Sequence, residues 1–115
     1  MRKSYRVKKA KDFQAVFNTG KSYANKCFII YKLSSHKQLH FRVGISVSKK
    51  LGNAVTRNKI KRKIRQSVFD LSIEICPDVD FIVIARLAAK DLTVFETLKN
   101  LRHVLMIAKI IQKFD

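Results

Sequence analysis

Apolar residues recur along this chain at two spacings, one typical of helices and one typical of strands. A first short helix is predicted by three apolar residues on one helical face, Phe13, Val16 and Phe17. Gly20 stands where a helix C-cap belongs. Residues 28–33 are rich in β-branched and aromatic side chains, and residues 41–48 alternate apolar with polar positions, so each is a predicted strand. The polar stretch between them predicts a hairpin.

The middle of the chain predicts a long helix followed by a buried strand. Asn53 can cap a helix that starts at about Ala54 and continues to about Ile75, and Pro77 ends it. Residues 81–85 form a continuous apolar run, which is typical of a strand that is buried on both faces.

The last stretch of sequence predicts one more helix. Thr93 and Glu96 have the spacing of a capping box, and the apolar period of 3.6 residues continues to about Phe114. The predicted order is therefore α-β-β-α-β-α, an α+β sandwich of one sheet and packed helices. Residues 1–115 form a single domain, and residues 1–8 are predicted to be a flexible basic arm.

The distribution of charge indicates an anionic partner. The net charge is +17, and residues 1–69 carry 19 Lys and Arg but a single acid, Asp12. Residues 70–115 carry six Lys and Arg and seven acids. Unmixed charge repels itself in a compact fold, so one polyanion that neutralises the first part is the simplest explanation. Nucleic acid fits best, and an anionic membrane is the weaker alternative.

The long helix has one apolar stripe and one basic face. The stripe should pack on the sheet and consists of Ile60, Ile64, Val68 and Leu71. The basic face beside it consists of Arg57, Asn58, Lys61, Arg62 and Arg65. Like charges at i, i+4 spacing repel each other, whereas Arg and Asn suit phosphate and 2′-hydroxyl groups, which favours RNA binding over a merely solvated face. A DNA-reading helix is disfavoured because a strand precedes this helix.

Aromatic residues offer a second feature with two interpretations. Phe13, Phe17 and Tyr31 could form a stacking floor for unpaired bases, but buried Phe is the common case, so residue type alone favours core positions for the two Phe. The alternation at 41–48 predicts a polar strand face made of Arg42, Gly44, Ser46 and Ser48. Gly44 there would let a nucleic-acid backbone approach closely.

Catalytic chemistry has little support in this sequence. His36, His40 and His103 show no ligand spacing with each other or with a cysteine, and the acids show no paired arrangement for metal-dependent hydrolysis. Two loop histidines could act as acid and base in a ribonuclease, but they lack neighbouring carboxylates. Cys27 and Cys76 are predicted to be free cytosolic thiols.

One long motif and three shorter ones carry a family resemblance. Residues 46–65 read SVSKKLGNAVTRNKIKRKIR. The shorter motifs are Phe13-x-x-Val16-Phe17-x-x-Gly20, FRVG at 41–44 and FIVIAR at 81–86. Across nearly the whole chain this sequence resembles the bacterial ribonuclease P protein component family.

The resemblance implies a more detailed fold. The order becomes α-β-β-β-α-β-α, an α+β sandwich with a four-stranded sheet, in which Tyr23 and Ala24 belong to a short extra strand. The basic helix would lie in a left-handed β-α-β crossover, as in ribosomal protein S5 domain 2-like folds. Only about 2% of such crossovers are left-handed.

The resemblance also implies partners and site residues. The partner would be a catalytic RNA, ribonuclease P RNA, which removes the 5′ leader of precursor tRNA in the cytoplasm with Mg²⁺ bound mainly by RNA. No catalytic residue, metal ligand, membrane contact or obligate protein partner is implied for the protein. The RNA-binding helix would use Arg57, Asn58, Lys61, Arg62 and Arg65. A cleft for the single-stranded leader would be lined by Phe13, Phe17, Tyr31, Ser46, Ser48, Lys49 and Lys50, which makes the two Phe partly exposed.

Two other functions remain open at this stage. A ribosomal or general RNA-binding protein would have the same distribution of charge. A protein-only ribonuclease would need His36 or His40 to act without RNA.

Overall fold

The computed structural model describes residues 5–7, 10–34 and 38–111 of the 115-residue chain. Within these residues helices and strands alternate as α1 (Ala10–Thr19), β1 (Lys21–Ala24), β2 (Phe28–Ser34), β3 (Arg42–Ser46), α2 (Ala54–Leu71), β4 (Val79–Ala85) and α3 (Val94–Ile107). Short 3-10 turns cover Lys49–Leu51, Ser72–Glu74 and Leu87–Ala89. The order α-β-β-β-α-β-α confirms the predicted α+β fold, including the short extra strand.

The four strands form one mixed sheet in the order β1-β2-β4-β3. Strand β4 is antiparallel to β2 and parallel to β3. The predicted hairpin between residues 28–33 and 41–48 is therefore wrong, because β4 lies between the two strands. The physical reason is burial. Phe81, Ile82 and Val83 are all 0% exposed, and so apolar a strand is most stable in the middle of the sheet, where both faces are covered.

Parallel strands β3 and β4 are joined through α2, which gives the predicted β-α-β crossover. The left hand of this crossover stays a prediction. Residues opposite each other in neighbouring strands point to the same face. Two rows of side chains therefore cross one face of the sheet, Ser22-Tyr31-Ile82-Gly44 and Ala24-Ile29-Ile84-Ser46.

Helices α2 and α3 cover the opposite face and enclose the main core. The predicted stripe of α2 is buried there, and its four residues are at most 3% exposed: Ile60, Ile64, Val68 and Leu71. Helix α3 adds Leu101, Val104 and Leu105, all 0% exposed. Helix α1 lies on the face that carries the two rows, with Val16 fully buried beneath it.

Gly20 follows α1 as predicted, but it is not a left-handed C-cap. Its N–H donates to the Val16 carbonyl at 2.9 Å. A Cβ atom at Gly20 would lie 2.3 Å from that carbonyl oxygen and 2.6 Å from the carbonyl oxygen of Lys32. Glycine is needed here because β2 passes so close, not because of its φ angle.

The predicted helix caps are confirmed for α2 and α3. The Asn53 side chain accepts a hydrogen bond from the Thr56 N–H at 3.0 Å. The Glu96 carboxylate accepts from the Thr93 N–H at 3.0 Å, while the Thr93 hydroxyl accepts from the Glu96 N–H at 3.1 Å. The hydrogen bond that the Thr93 backbone N–H donates to the carboxylate, followed by the effect of the Thr93 side chain, holds the pKa of Glu96 below its usual value.

Helix α3 ends earlier than predicted. It stops at Ile107 rather than near Phe114, which lies outside the described residues. Lys109 has φ +57° and turns the chain back, so that Ile110 donates its N–H to the Leu105 carbonyl at 2.9 Å. The turn buries Ile110 in the core at 0% exposure, which a continued helix would not achieve.

The N-terminal residues that the structure describes lie along the open edge of β3. Arg6 forms a parallel bridge with Val43, and the Val7 N–H donates to the Val43 carbonyl at 3.1 Å. Val7 is buried. Of the predicted flexible arm, residues 1–4 and 8 lie outside the described residues, and for them flexibility stays a prediction.

Candidate nucleic-acid interface

A short connection positions the start of α2 at the carboxyl end of β3. The chain passes through the turn Lys49–Leu51, whose two lysines are exposed and whose Leu51 is buried in the core, and then Gly52, whose φ is +142°. A side chain is strained at such a φ, so glycine suits this position. The Asn53 cap then starts the helix. This turn fixes the direction in which α2 crosses the sheet and hence the surface that its basic face covers.

The predicted basic face lies together on one side of α2. Arg57, Lys61 and Arg65 form a row at successive turns and are half-buried, whereas Asn58 and Arg62 are exposed. Half-burial of long cationic side chains is typical when their carbon chains lie on apolar surface and their charged ends face water. The row spans about 12 Å along the helix.

Acidic side chains do not neutralise this face within the described part of the chain. The ion pairs found there join Arg42 to Asp80 and Arg102 to Glu74, and neither involves the row on α2. Glu96 belongs to the capping box. The Nε atom of Arg57 is buried and has no hydrogen-bond partner among the described residues. The cations are therefore available to an external anion.

Aromatic side chains from α1 and β2 meet on the face with the two rows. The rings of Phe17 and Tyr31 are 4.9 Å apart and inclined by 68°, an edge-to-face contact. Phe17 is 40% exposed, and Phe13 and Tyr31 are half-buried. The two Phe are thus partly exposed, as the family resemblance implied.

Gly44 has a different role from the one predicted. A Cβ atom there would lie 2.7 Å from the Phe13 ring, so the space above Gly44 is filled by that ring and not by an external backbone. The expectation that Gly44 admits nucleic acid is therefore wrong. Its missing side chain instead lets α1 pack close to the sheet.

The polar residues predicted for the cleft continue past the end of β3. Ser46 is exposed and lies in the row with Ile29 and Ile84. Ser48, Lys49 and Lys50 follow it and are all exposed. Aromatic side chains therefore lie at α1 on this face, and exposed hydroxyl and ammonium groups follow between β3 and the start of α2.

Arg65 connects the basic face with the aromatic cleft. A pocket of about 150 Å³ lies between them, lined by Arg6, Val7, Phe13, Val43, Gly44, Ile45 and Arg65. The last residue of the basic row, Arg65, thus lines the same pocket as Phe13. The two predicted sets of residues therefore meet at this pocket.

Sequence reasoning missed several residues of this surface. Ile29 and Ile84 are half-buried and share the Ser46 row, but the apolar run 81–85 was predicted to be buried on both faces. Arg6 was assigned to a flexible arm, yet it lines the pocket beside Arg65. The pairing of the strands and of the N-terminal residues would have been needed to find Ile29, Ile84 and Arg6, because none of the three shows a distinctive local pattern.

The remaining candidate chemistry is dispersed. His40 stacks on Tyr5 with ring centres 4.0 Å apart, His103 lies 3.3 Å from the Asn25 amide, and His36 lies outside the described residues. Among the described residues, no three His, Cys, Asp or Glu side chains lie close enough together to hold a metal ion. Cys27 and Cys76 are both free thiols. In the part of the chain with described coordinates, no helix has the length and apolarity to span a membrane.

Comparison with known proteins identifies the family. The family described as Ribonuclease P matches residues 1–109. The chain belongs to the ribonuclease P protein family. It is 59% identical over 111 residues to the ribonuclease P protein component of Enterococcus faecalis, covering 96% of this chain and 94% of that protein. It is 54% identical to the counterpart in Latilactobacillus sakei, over 98% of this chain and 94% of that one.

Solved structures agree with this family. A Staphylococcus aureus RNase P protein superposes with a TM-score of 0.88 at 50% identity, covering 96% of this chain and all of that one. The RNase P protein from Thermotoga maritima gives a TM-score of 0.80 at 28% identity, covering 94% and 98% of the two chains. A ribonuclease P protein component belongs to a tRNA-processing ribonucleoprotein, so the chain is part of an endoribonuclease complex whose partner is ribonuclease P RNA.

Proposed function

We propose that this chain binds both the catalytic RNA of ribonuclease P and the single-stranded 5′ leader of precursor tRNA, and so promotes endonucleolytic removal of the leader in the cytoplasm. The observation that carries the proposal is that the two predicted sets of residues meet. Arg65, from a row of cations without acidic partners in the described chain, lines the same pocket as the Phe13 ring. One protein can therefore touch an RNA partner and an unpaired strand at the same time.

The basic face of α2 suits the catalytic RNA. Its contact residues would be the predicted set Arg57, Asn58, Lys61, Arg62 and Arg65. Guanidinium groups bind phosphate through two parallel hydrogen bonds, and the Asn58 amide can donate to phosphate or accept from a 2′-hydroxyl. The buried Nε of Arg57, unpaired within the described chain, would hold its guanidinium in one orientation towards an incoming phosphate.

The cleft suits a single strand rather than a duplex. Unpaired bases stack on exposed aromatic rings, which paired bases inside a helix cannot do. Phe17, Tyr31 and the neighbouring ring of Phe13 offer such a surface between α1 and the sheet. Ser46, Ser48, Lys49 and Lys50 would then contact the sugar and phosphate groups of the leader. Mature tRNA lacks the leader, so this contact favours the precursor.

The catalytic step would belong to the RNA. The interface is cationic and offers no carboxylate on α2 beside the row, so its donors do not suit Mg²⁺, which prefers oxygen ligands. We assign Mg²⁺ to the RNA. The protein contributes by screening the repulsion between RNA phosphates and by positioning the leader, which lowers the Mg²⁺ concentration that the complex needs.

Reconstitution tests the proposed function. The protein is added to precursor tRNA with and without the ribonuclease P RNA encoded in the same genome, at low Mg²⁺. Cleavage at the 5′ end of the tRNA is expected only when that RNA is present. Cleavage by the protein alone would support the protein-only ribonuclease, and binding without any stimulation of cleavage would support a general RNA-binding protein.

Matched variants test the surface. Arg62→Ala should weaken the complex with ribonuclease P RNA, because it removes a cation from the basic face. Lys59→Ala is the control, since it removes an exposed cation from the other flank of the same helix. Equal losses for the two variants would mean that total charge, and not this face, determines binding.

A further inference from the structure

The basic face of α2 continues into an exposed aromatic residue, Phe69. Its side chain is 62% exposed, although its neighbours Val68 and Leu71 are buried in the core. Phe69 follows Arg62, Arg65 and Gln66 at i+7, i+4 and i+3, the spacing that places side chains on one helical face. An exposed aromatic ring is therefore aligned with two of the proposed phosphate-binding residues.

These four residues line one concave site. The site has a volume of about 450 Å³ and is lined by Arg62, Arg65, Gln66 and Phe69. This volume lies in the range of small-ligand sites, roughly 300–1,000 Å³. Its lining combines two cations, one amide and one ring, and contains no acid.

Hydrogen bonding orients the site. The Gln66 amide N–H donates to the Asp70 carboxylate at 2.9 Å, which fixes the amide beside the ring. The carboxylate of Asp70, one turn after Gln66, repels phosphate from that end. Phosphate is therefore favoured at the Arg62 end and a neutral, planar group at the Phe69 end.

We propose that this site binds one unpaired nucleotide of an RNA, with its base stacked on Phe69, its edge against Gln66 and its phosphate on Arg62 and Arg65. The proposal rests on the proposed function, because the nucleotide belongs to ribonuclease P RNA. A protein partner is less favoured. A protein docked on this site would bury the guanidinium groups of Arg62 and Arg65 at the centre of the interface, and burying an unpaired charge is costly.

Tryptophan fluorescence tests the stacking directly, because the chain contains no Trp. Phe69→Trp places a single indole in the site. Phe95→Trp is the matched control, since Phe95 is 71% exposed at the start of α3. Addition of ribonuclease P RNA should quench the fluorescence of Phe69→Trp and leave that of Phe95→Trp nearly unchanged. Equal quenching of the two would overturn the proposal.

Binding measurements give a second readout. Phe69→Ala should weaken binding of ribonuclease P RNA by about 5- to 150-fold, the effect of losing one stacked base. Phe69→Tyr should retain the affinity, and Phe95→Ala should not change it. Thermal unfolding checks that each variant is folded, and Phe69→Leu, which lacks a ring but keeps apolar bulk, replaces Phe69→Ala if the latter fails to fold.

The outcomes separate this site from the proposed function. If Arg57→Ala weakens RNA binding and Phe69→Ala does not, the nucleotide site is refuted while the RNA-binding face stands. If neither variant changes the affinity, the proposed function fails as well. If Phe69→Leu binds as tightly as the unmodified chain, ring stacking is refuted.

Discussion

Phe17→Ala separates the structural role of this ring from its proposed role in binding the leader. The side chain is 40% exposed, so it buries about three fifths of its surface. Full burial of Phe contributes about 1.5–3 kcal/mol, which gives about 1–2 kcal/mol here. Loss of the edge-to-face contact with Tyr31 adds about 0.5–1.5 kcal/mol. The free energy of unfolding should fall by about 2–3 kcal/mol, and the protein should stay folded.

The effect on binding is separate. A base stacked on Phe17 contributes about 1–3 kcal/mol, so the preference of the reconstituted complex for precursor over mature tRNA should fall by about 5- to 150-fold. The assay measures the affinities of precursor and mature tRNA for the complex with each variant. Affinity for mature tRNA, which has no leader, should change little.

A matched variant controls for lost stability. Val16→Ala alters the adjacent residue, which is 0% exposed, and should cost about 2 kcal/mol through lost burial and a small cavity. It should leave the preference for precursor tRNA unchanged. The reasoning is refuted if Phe17→Ala keeps full selectivity, or if Val16→Ala loses as much selectivity as Phe17→Ala.

Three further predictions concern salt, pH and a backbone strain. If the four cations of α2 and the pair Lys49 and Lys50 each contact one phosphate, RNA affinity should fall by about 300- to 2,000-fold between 50 and 200 mM salt. A titration with much weaker salt dependence would contradict this contact set. The lowered pKa of Glu96 means that its ionised form stabilises the fold at neutral pH, and that this contribution is lost as the pH falls below the usual value of 4.5. Glu96→Gln should remove that part of the acid dependence in thermal unfolding. Lys109 has a left-handed φ of +57°, which Gly adopts without the steric strain of a Cβ atom. Lys109→Gly should therefore raise the unfolding free energy by about 0.5–1 kcal/mol, whereas Lys109→Ala should give no gain.

Local patterns predicted most of the elements because each was encoded within a few residues. The cap at Asn53 and the capping box at Thr93 and Glu96 depend on contacts within one turn of helix. The apolar stripe of α2 packs on distant residues, but its helical period is visible in the local sequence. The end of α3 was mistaken for the opposite reason. Ala108 and Ile111 continue the helical period in sequence, but a left-handed turn at Lys109 ends the helix and buries Ile110. Periodicity contains no information about that turn.

Strand pairing could not be derived in the same way. Residues 28–33 and 41–48 are close in sequence, which favours a hairpin. The most apolar strand, β4, nevertheless lies between them in the sheet, although its run at 81–85 begins about 40 residues after residue 41. The run at 81–85 contained a hint, since a strand that is apolar on both faces needs neighbours on both sides. The alternative was a hairpin between residues 28–33 and 41–48, which needs only a short connection. Burial of Phe81, Ile82 and Val83 outweighs the entropic cost of closing the longer connection, because that cost grows only slowly with loop length.

The composition of the candidate site follows from this pairing. Because β3 takes the edge next to β4, α2 starts beside that edge, and Arg65 at the end of its basic row reaches the pocket that Phe13 lines. Gly44 completes the arrangement, since any side chain there would collide with the far edge of the Phe13 ring, which would have to move. Gly44→Ala should thus displace that ring without removing a cation. A fall in leader selectivity in this variant, with RNA affinity retained, would show that the position of the Phe13 ring is itself part of the binding site.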